Sequence, residues 1–307
     1  MDSLKNKAVL VTGGAGIIGQ ELVALLVAEG ALVRVVDMVE KPSSLVGFDY
    51  FQMDLANRDS QFLFHFEPEY VFHLAADFER STESLEFWDA NFKNNILASH
   101  YLLEQIMKCK SLKKIVFASS YLIYDKNQYN DVSKEGVLSE SSMVNPRNLC
   151  GVAKLQTEKD LEFFHEQLKS FEYACARIYR VYGRGSRDIA SRWVRAALKG
   201  EALEVFSKNN RFDYIFAGDV AEGLIRICKA EAAKGIINLG SGISHSVAEL
   251  VEVLKSNFAD LKIVENDKMI YPEASMANVS LLKKLTGWSP QTSLNDGVSK
   301  LIEHERS

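Results

Sequence analysis

The stretch Lys7-Ala-Val-Leu-Val-Thr-Gly-Gly-Ala-Gly-Ile-Ile-Gly19 decides the fold. Ala8 to Val11 read as a buried strand, and Thr12 ends it. Gly13, Gly16 and Gly19 follow, three apart, and a helical pattern opens at once through Leu22, Val23, Leu25, Leu26 and Val27. A glycine triplet alone is a weak signal; between a strand and a helix it has the context of a dinucleotide fingerprint. The first glycine allows the tight turn, the second lets backbone approach a pyrophosphate, and the third lets the helix pack closely on the strand. The helix start, around Ile17 and Ile18, offers free N–H groups and a positive dipole end to phosphates. The bland alternative is a glycine-rich turn with no ligand.

Outward from this turn, the first helix runs to about Glu29, with Gly30 as its C-cap. Ala31 to Val36 is a second strand, and Asp37 stands at its end, eighteen residues beyond Gly19. A carboxylate there accepts hydrogen bonds from ribose hydroxyls and repels a 2′-phosphate, which favours NAD over NADP. Arg34, inside that strand, is the one residue suited to help a phosphate instead. Phe48 to Met53 is a third strand, and Asp54-Leu55 at its edge places a carboxylate within reach of an adenine amino group. Residues 58–66 read as a short helix. Tyr70 to Leu74 is a fourth strand, and Leu74, Ala75 and Ala76 let a flat cofactor lie against backbone. His73 reads as structural rather than as a base.

Residues 87–109 form a long amphipathic helix, with Asn91 and Asn95 one turn apart on a face, placed to orient a loop or hold water. Lys114 to Ala118 is a fifth strand, and Ser119 and Ser120 follow it, where open α/β sheets bind ligands. Pro146 precedes a helix on which Cys150 and Lys154 share a face, and Phe171 to Arg177 is a sixth strand. Alternating strands and helices over this length give an α/β fold with a doubly wound, mostly parallel sheet.

The 307 residues suffice for a large core and a smaller second lobe. A net charge of −5 with no basic block argues against a nucleic-acid binder. No apolar run reaches membrane-spanning length. Cys109, Cys150, Cys175 and Cys228 form no CxxC pair, so reduced cytoplasmic thiols are expected. The six histidines lack metal-ligand spacing, and no metal is expected.

The chain resembles the extended short-chain dehydrogenase/reductases, within the NAD-dependent nucleotide-sugar epimerase/dehydratase family. The resemblance rests on Thr12-Gly-Gly-Ala-Gly-Ile-Ile-Gly19, Asp37, Asp54-Leu55, His73-Leu-Ala-Ala76 and Asn91. It continues through Phe117-Ala-Ser-Ser-Tyr-Leu-Ile-Tyr124, Cys150-Gly-Val-Ala-Lys154 and Ala176-Arg-Ile-Tyr-Arg-Val-Tyr-Gly183. Asp219-Val220, Asn238-Leu-Gly-Ser-Gly242 and Leu285-Thr-Gly-Trp-Ser-Pro290 extend it over nearly the whole chain. The resemblance implies NAD, an anionic nucleotide-sugar substrate and a homodimer paired through the helices at 87–109 and 151–169. It also implies an NAD-binding domain of 1–183, continued by 213–260, with 184–212 and 261–307 as a substrate lobe.

In relatives a Tyr, three residues, then a Lys stand on the catalytic helix: the tyrosinate is the base, and the lysine lowers its pKa and holds ribose. A Ser or Thr polarises the substrate oxygen. The lysine carries over to Lys154 and the hydroxyl to Ser120, but the tyrosine position holds Cys150. Three readings stay open. Cys150 acts as a base, its thiolate favoured by Lys154; another residue, such as Tyr121 or Tyr124, relays the proton; or the chain is catalytically impaired or a cofactor-bound non-enzyme. Dehydratases place an acid after the Ser/Thr, where this chain has Tyr121, so epimerisation through a transient keto sugar leads, ahead of dehydration or one-way oxidoreduction. Arg180 stands where relatives often have Asn, which implies a changed pocket or an anionic group.

Beyond residue 184 the alternation lapses. Ser191 to Leu198 is helical, and Ala202 to Phe206 a short strand. Arg187, Arg192 and Arg211 are candidates to clamp a diphosphate, or an ordinary solvated basic face. Ser246 and Glu249 have capping-box spacing. Relatives carry a diphosphate-binding arginine near 268–277; this chain has none there, and Lys268 offers only a point charge.

Overall fold

The computed structural model describes residues 3–43, 46–63, 65–78, 83–266 and 271–306. The first half contains β1 (Ala8–Thr12), α1 (Ile17–Ala28), β2 (Leu32–Asp37), β3 (Asp49–Gln52) and β4 (Tyr70–His73). Helix α2 (Leu85–Asn91) runs through a π-helical turn, Phe92–Leu97, into α3 (Ala98–Ile106). Then come β5 (Lys114–Ser120), β6 (Gly136–Leu138), α4 (Leu149–Leu168), β7 (Glu172–Ile178) and β8 (Arg180–Tyr182). The rest comprises α5 (Ile189–Leu198), β9 (Leu203–Phe206), β10 (Arg211–Phe216), α6 (Ala217–Lys229), β11 (Gly235–Leu239) and β12 (Ser244–Ser246). The chain closes with α7 (Val247–Asn257), β13 (Ile263–Asn266), β14 (Ser275–Ala277), α8 (Ser280–Thr286) and α9 (Leu294–Arg306).

Seven strands form one parallel sheet in the order β3-β2-β1-β4-β5-β7-β11. The order reverses between β1 and β4, which opens the ligand crevice at their C-terminal ends. The central strands are apolar on both faces because helices cover both. Val9, Val11, Val116 and Ala174 pack with α1 and α6 on one side; Leu10, Val71, Ile115 and Phe117 pack with α3 and α4 on the other.

The expected helix at 58–66 does not form among the described residues there. Short polar side chains take its backbone groups instead: Asp54 accepts from Ala56 N–H, Asn57 accepts from Asp59 N–H, and the Ser60 hydroxyl donates to the Asp54 carbonyl. Buried Arg34, whose Nη1 donates to the Phe62 carbonyl, pairs with Asp49 and stacks on Phe51 and Phe66. It is part of the core and is not a phosphate ligand.

Packing also divides the chain differently from the sequence expectation. Helix α7, assigned there to the NAD-binding domain, buries Val247, Leu250 and Leu254 with Trp193, Leu203 and Val298 of the second lobe. Helix α8, assigned to the lobe, instead buries Leu282 on the sheet's own core, with Leu285 and Trp288 against it. The expected capping box starts α7: Ser246 accepts from Glu249 N–H, and Glu249 accepts from Ser246 N–H.

One carboxylate joins the lobe to the sheet. Asp213 of β10 is fully buried and accepts from Ser241 N–H at 2.6 Å, Ser241 Oγ at 2.7 Å, Gly242 N–H at 2.9 Å and Ala277 N–H at 3.0 Å. Truncation leaves three backbone donors unsatisfied. Asp213→Ala is expected to destabilise the protein by about 3 kcal/mol or more and Asp213→Asn by less, read as the shift in urea midpoint.

Candidate functional site

The glycine turn presents backbone rather than side chains. A Cβ at Gly13, which has a φ of +73°, would meet the Ala75 backbone nitrogen at 2.6 Å. A Cβ at Gly19 would run into the Gly13 carbonyl. No side chain caps α1, and no acidic residue lies in its first turn, so the N–H groups at Ile17 and Ile18 face an uncovered helix end. Asp37 accepts from Ala15 N–H at 2.9 Å and from Val39 N–H at 3.2 Å, which fixes its carboxylate against the turn. Asp54 is not free at the neighbouring edge: Lys93, a residue the sequence reading missed, pairs with it at 2.8 Å. Leu55 behind it is buried.

Across the switch point His73 is buried, bonded through Nδ1 to Thr12 Oγ1 at 2.7 Å and through Nε2 to Ser99 Oγ at 2.8 Å. Burial, with a smaller contribution from Lys154, takes its pKa from 6.5 down to about 3. It is a neutral structural residue. The chain then passes Leu74, Ala75 and Ala76 to Asp77, which Asn95 brackets by accepting from its N–H and donating to its carbonyl. Asn95 also donates to Asn91 at 2.7 Å, so the asparagine pair orients this loop, and it does so from within the π-helical turn.

Ser120, Cys150 and Lys154 come together at the end of β5 and the start of α4, and all three are buried. Ser120 Oγ accepts from Leu122 N–H. Lys154 lies over the Phe117 ring at 4.6 Å, and its ammonium has no hydrogen-bond partner among the described residues. Burial draws Lys154 down to about 8, while nearby Cys150, Cys175 and Glu158 act to raise it. Glu158, one turn beyond Lys154, accepts from Ser119 Oγ at 2.6 Å and pairs bidentately with Arg177 at 3.0 and 2.7 Å. This second buried layer was visible only as helical spacing. The Cys150 thiol donates to the Asp77 carbonyl at 3.7 Å, so the geometry holds it as a hydrogen-bond donor.

Neither tyrosine after Ser120 is placed as a proton relay. Tyr121 donates to Glu273 at 2.9 Å, and burial with the Glu273 charge pushes its hydroxyl far up. Tyr124 donates to Asn238 at 2.7 Å and is pushed up, by burial first, to about 12. Arg180 pairs with buried Asp188 at 2.7 Å and stacks on Phe212 at 3.9 Å. Arg211 donates to the Ser244 carbonyl and pairs with Glu249, so it braces the lobe. Arg187 and Arg192 are exposed. Lys268 lies outside the described residues. Glu273 and Arg147 had no sequence signal; the Tyr121–Glu273 bond spans 152 residues.

A family model, the NAD dependent epimerase/dehydratase family, matches residues 9–240, and the chain belongs to that family. It is 27% identical to a putative UDP-glucose 4-epimerase of Methanocaldococcus jannaschii, over 96% of this chain and 97% of the relative. MoeE5 in complex with UDP-glucose and NAD superposes with a TM-score of 0.85 at 27% identity, covering 97% of this chain and 98% of that one. The UDP-glucose 4-epimerase of Thermotoga maritima with UDP-glucose has the same TM-score, identity and coverage. Among the described residues no helix is long and apolar enough to cross a membrane.

His73 generates a pH prediction. Its folded pKa lies below the unfolded value, so its stabilising contribution is complete above about pH 6.5 and is lost as pH falls towards 3. Unfolding free energy is expected to drop by about 1 kcal/mol per pH unit below pH 6.5 from this group. Equilibrium denaturation of His73→Gln, whose amide can bridge Thr12 and Ser99, should lack that component.

Proposed function

We propose that the protein is an NAD-dependent epimerase of a nucleotide sugar, working through a transient keto sugar, with Cys150 in the place of the usual tyrosine. The observation that carries this is the buried Lys154 ammonium, unpartnered among the described residues, beside Ser120 and Cys150. The residues fit NAD: Gly13, Gly16 and Gly19 leave backbone for a pyrophosphate, Ile17 and Ile18 begin the uncapped helix, and Asp37 faces the ribose position. Asp54 and Leu55 border the adenine end; Leu74, Ala75 and Ala76 form the backbone wall; and Lys154 supplies donors to a ribose. Bound NAD supplies a hydride acceptor and donor.

Ser120 orients the substrate oxygen by hydrogen bond. Cys150 lies at the position of the acid–base group, and its shorter reach makes it a poorer relay than a phenol. Glu158, held by Ser119 and Arg177 one turn beyond Lys154, favours the charged ammonium. A dehydratase or one-way oxidoreductase is the second enzymatic reading, and a cofactor-bound protein without turnover is the non-enzymatic one, favoured by the Cys150 thiol being turned to the Asp77 carbonyl. The four free cysteines support a cytoplasmic location.

The deciding experiment is single-turnover hydride transfer on NAD-loaded protein with a panel of nucleotide sugars, followed by NADH absorbance and exchange of substrate hydrogen. Cys150→Ala is expected to bind NAD normally and to lose any thiol-dependent reaction. Cys150→Tyr is expected to raise hydride transfer by about 10²-fold, the low end for a positioned acid–base group. Unchanged rates in Cys150→Ala exclude a chemical role for the thiol.

A homodimer is part of the same proposal. Leu85, Trp88 and Phe92 are 73%, 57% and 52% exposed along one helix, and Val152 and Phe163 are 47% and 57% exposed on α4. Apolar area of this kind on two neighbouring helices suits an isologous interface. Sedimentation at micromolar concentration should show a dimer, and Trp88→Glu combined with Phe163→Glu should shift it to monomer.

A further inference from the structure

A second buried polar cluster adjoins Ser120 and Cys150, and the reaction proposed above makes no use of it. Tyr121, the residue after Ser120, donates to Glu273 Oε1 at 2.9 Å. Ser275 Oγ donates to the same oxygen at 2.9 Å, and Arg147 Nη1 donates to Oε2 at 2.7 Å. Arg147 lies three residues before Cys150, and its backbone N–H donates to the Leu122 carbonyl at 3.1 Å. Tyr121 also stacks on Tyr179 at 5.0 Å between ring centroids, which brings Arg180, the next residue and the first of β8, to this cluster, where its charge acts on both Tyr121 and Glu273. Burial alone would raise the Glu273 carboxyl; Arg147 and Arg180, with the hydrogen bonds of Arg147 and Tyr121, outweigh it and hold the carboxyl below the usual carboxylate range.

Each of the two guanidiniums is held by one carboxylate and keeps other nitrogens uncommitted. Arg180 spends Nε on Asp188 Oδ2 at 2.7 Å and rests on the Phe212 ring; among the described residues Nη1 and Nη2 have no hydrogen-bond partner. Asp188, whose side chain is fully buried, also caps α5 through Ala190 N–H, so it cannot follow a moving arginine. Arg147 spends Nη1 on Glu273 and Tyr129, and among the described residues Nη2 has no partner. The side chains of Arg147 and Arg180 keep 32% and 18% of their area accessible, so both can be reached. Both oxygens of Glu273 are already engaged. The uncommitted atoms of the two arginines are therefore donors only.

Guanidinium donors that are accessible and uncommitted within the protein are best satisfied, in place of water, by an acceptor-only group of planar or tetrahedral oxygens. A neutral hydroxyl brings a donor of its own and complements such a lining less well. We propose that Arg147 and Arg180 form an oxyanion clamp beside Ser120, which takes a carboxylate or phosphoryl group of the substrate, with Asp188 as its positioning residue. The clamp rests on the nucleotide-sugar reading and names the recognition element of that same site.

The test is calorimetric binding of UDP, UDP-glucose and UDP-glucuronic acid to NAD-loaded protein. Arg180→Gln is expected to weaken an oxyanion held there by about tenfold or more. Loss for all three ligands places a phosphoryl group in the clamp, and loss confined to UDP-glucuronic acid places the carboxylate there. Asp188→Asn keeps the helix cap and leaves Arg180 in place but released; it should weaken the same ligands by about threefold, and it decides the matter if Arg180→Gln fails to fold. Unaltered affinities in a folded Arg180→Gln, or in Asp188→Asn where it alone folds, overturn the clamp and leave the nucleotide-sugar reading standing. Binding of none of the three by the unmodified protein overturns both.

Discussion

The close approach of β1 to β4 at their C-terminal ends is the constraint on which the rest of the structure depends. Thr12, His73 and Ser99 form a buried hydrogen-bonded chain across that junction and tie both strands to α3. Gly13 then lies so near the Ala75 backbone that no side chain fits between them. This narrow junction aims an uncapped helix end, the small residues after β4 and the end of β5 into one crevice. The imidazole has to be neutral to sit there, because an unpaired buried cation would be expensive.

Around that crevice the charges are arranged in depth. Lys154 keeps its ammonium uncommitted while Glu158 and Arg177, one layer below, neutralise each other and fix the helix register with Ser119. Glu273 has the corresponding place on the lobe side, between Arg147 and Tyr121. In both layers the buried carboxylate is fully engaged, and a cationic group is the member that keeps uncommitted donors. Such an interior favours anionic, oxygen-rich ligands without a large net positive charge on the protein.

The second lobe is attached by hydrogen bonds more than by continuous sheet. Asp213 joins β10 to the turn after β11 and to β14, and Asn238 joins β11 to Tyr124 and to the Leu138 carbonyl. Tyr121, Tyr124, Tyr129 and Tyr179 fill the space between these links. The pocket wall is thus assembled from segments far apart in the chain, so a substitution such as Arg180 can be absorbed by Asp188 without disturbing the sheet.

The sequence by itself determined the parallel sheet, the glycine turn, the place of Asp37 at the end of β2, the capping box at Ser246 and the helix face that Cys150 and Lys154 share. Each is written in contiguous residues or in helical and strand periodicity, and local physics sets it. Tertiary structure alone decided that Arg34 and Arg211 serve packing, that 58–66 follows its side-chain turns instead of a helix, and that α7 and α8 change places between lobe and sheet. It alone paired Asp54 with Lys93, Tyr121 with Glu273 and Cys150 with the Asp77 carbonyl. Those outcomes depend on which buried donor meets which acceptor across tens to hundreds of residues, and a side chain's identity names its chemistry without naming its partner.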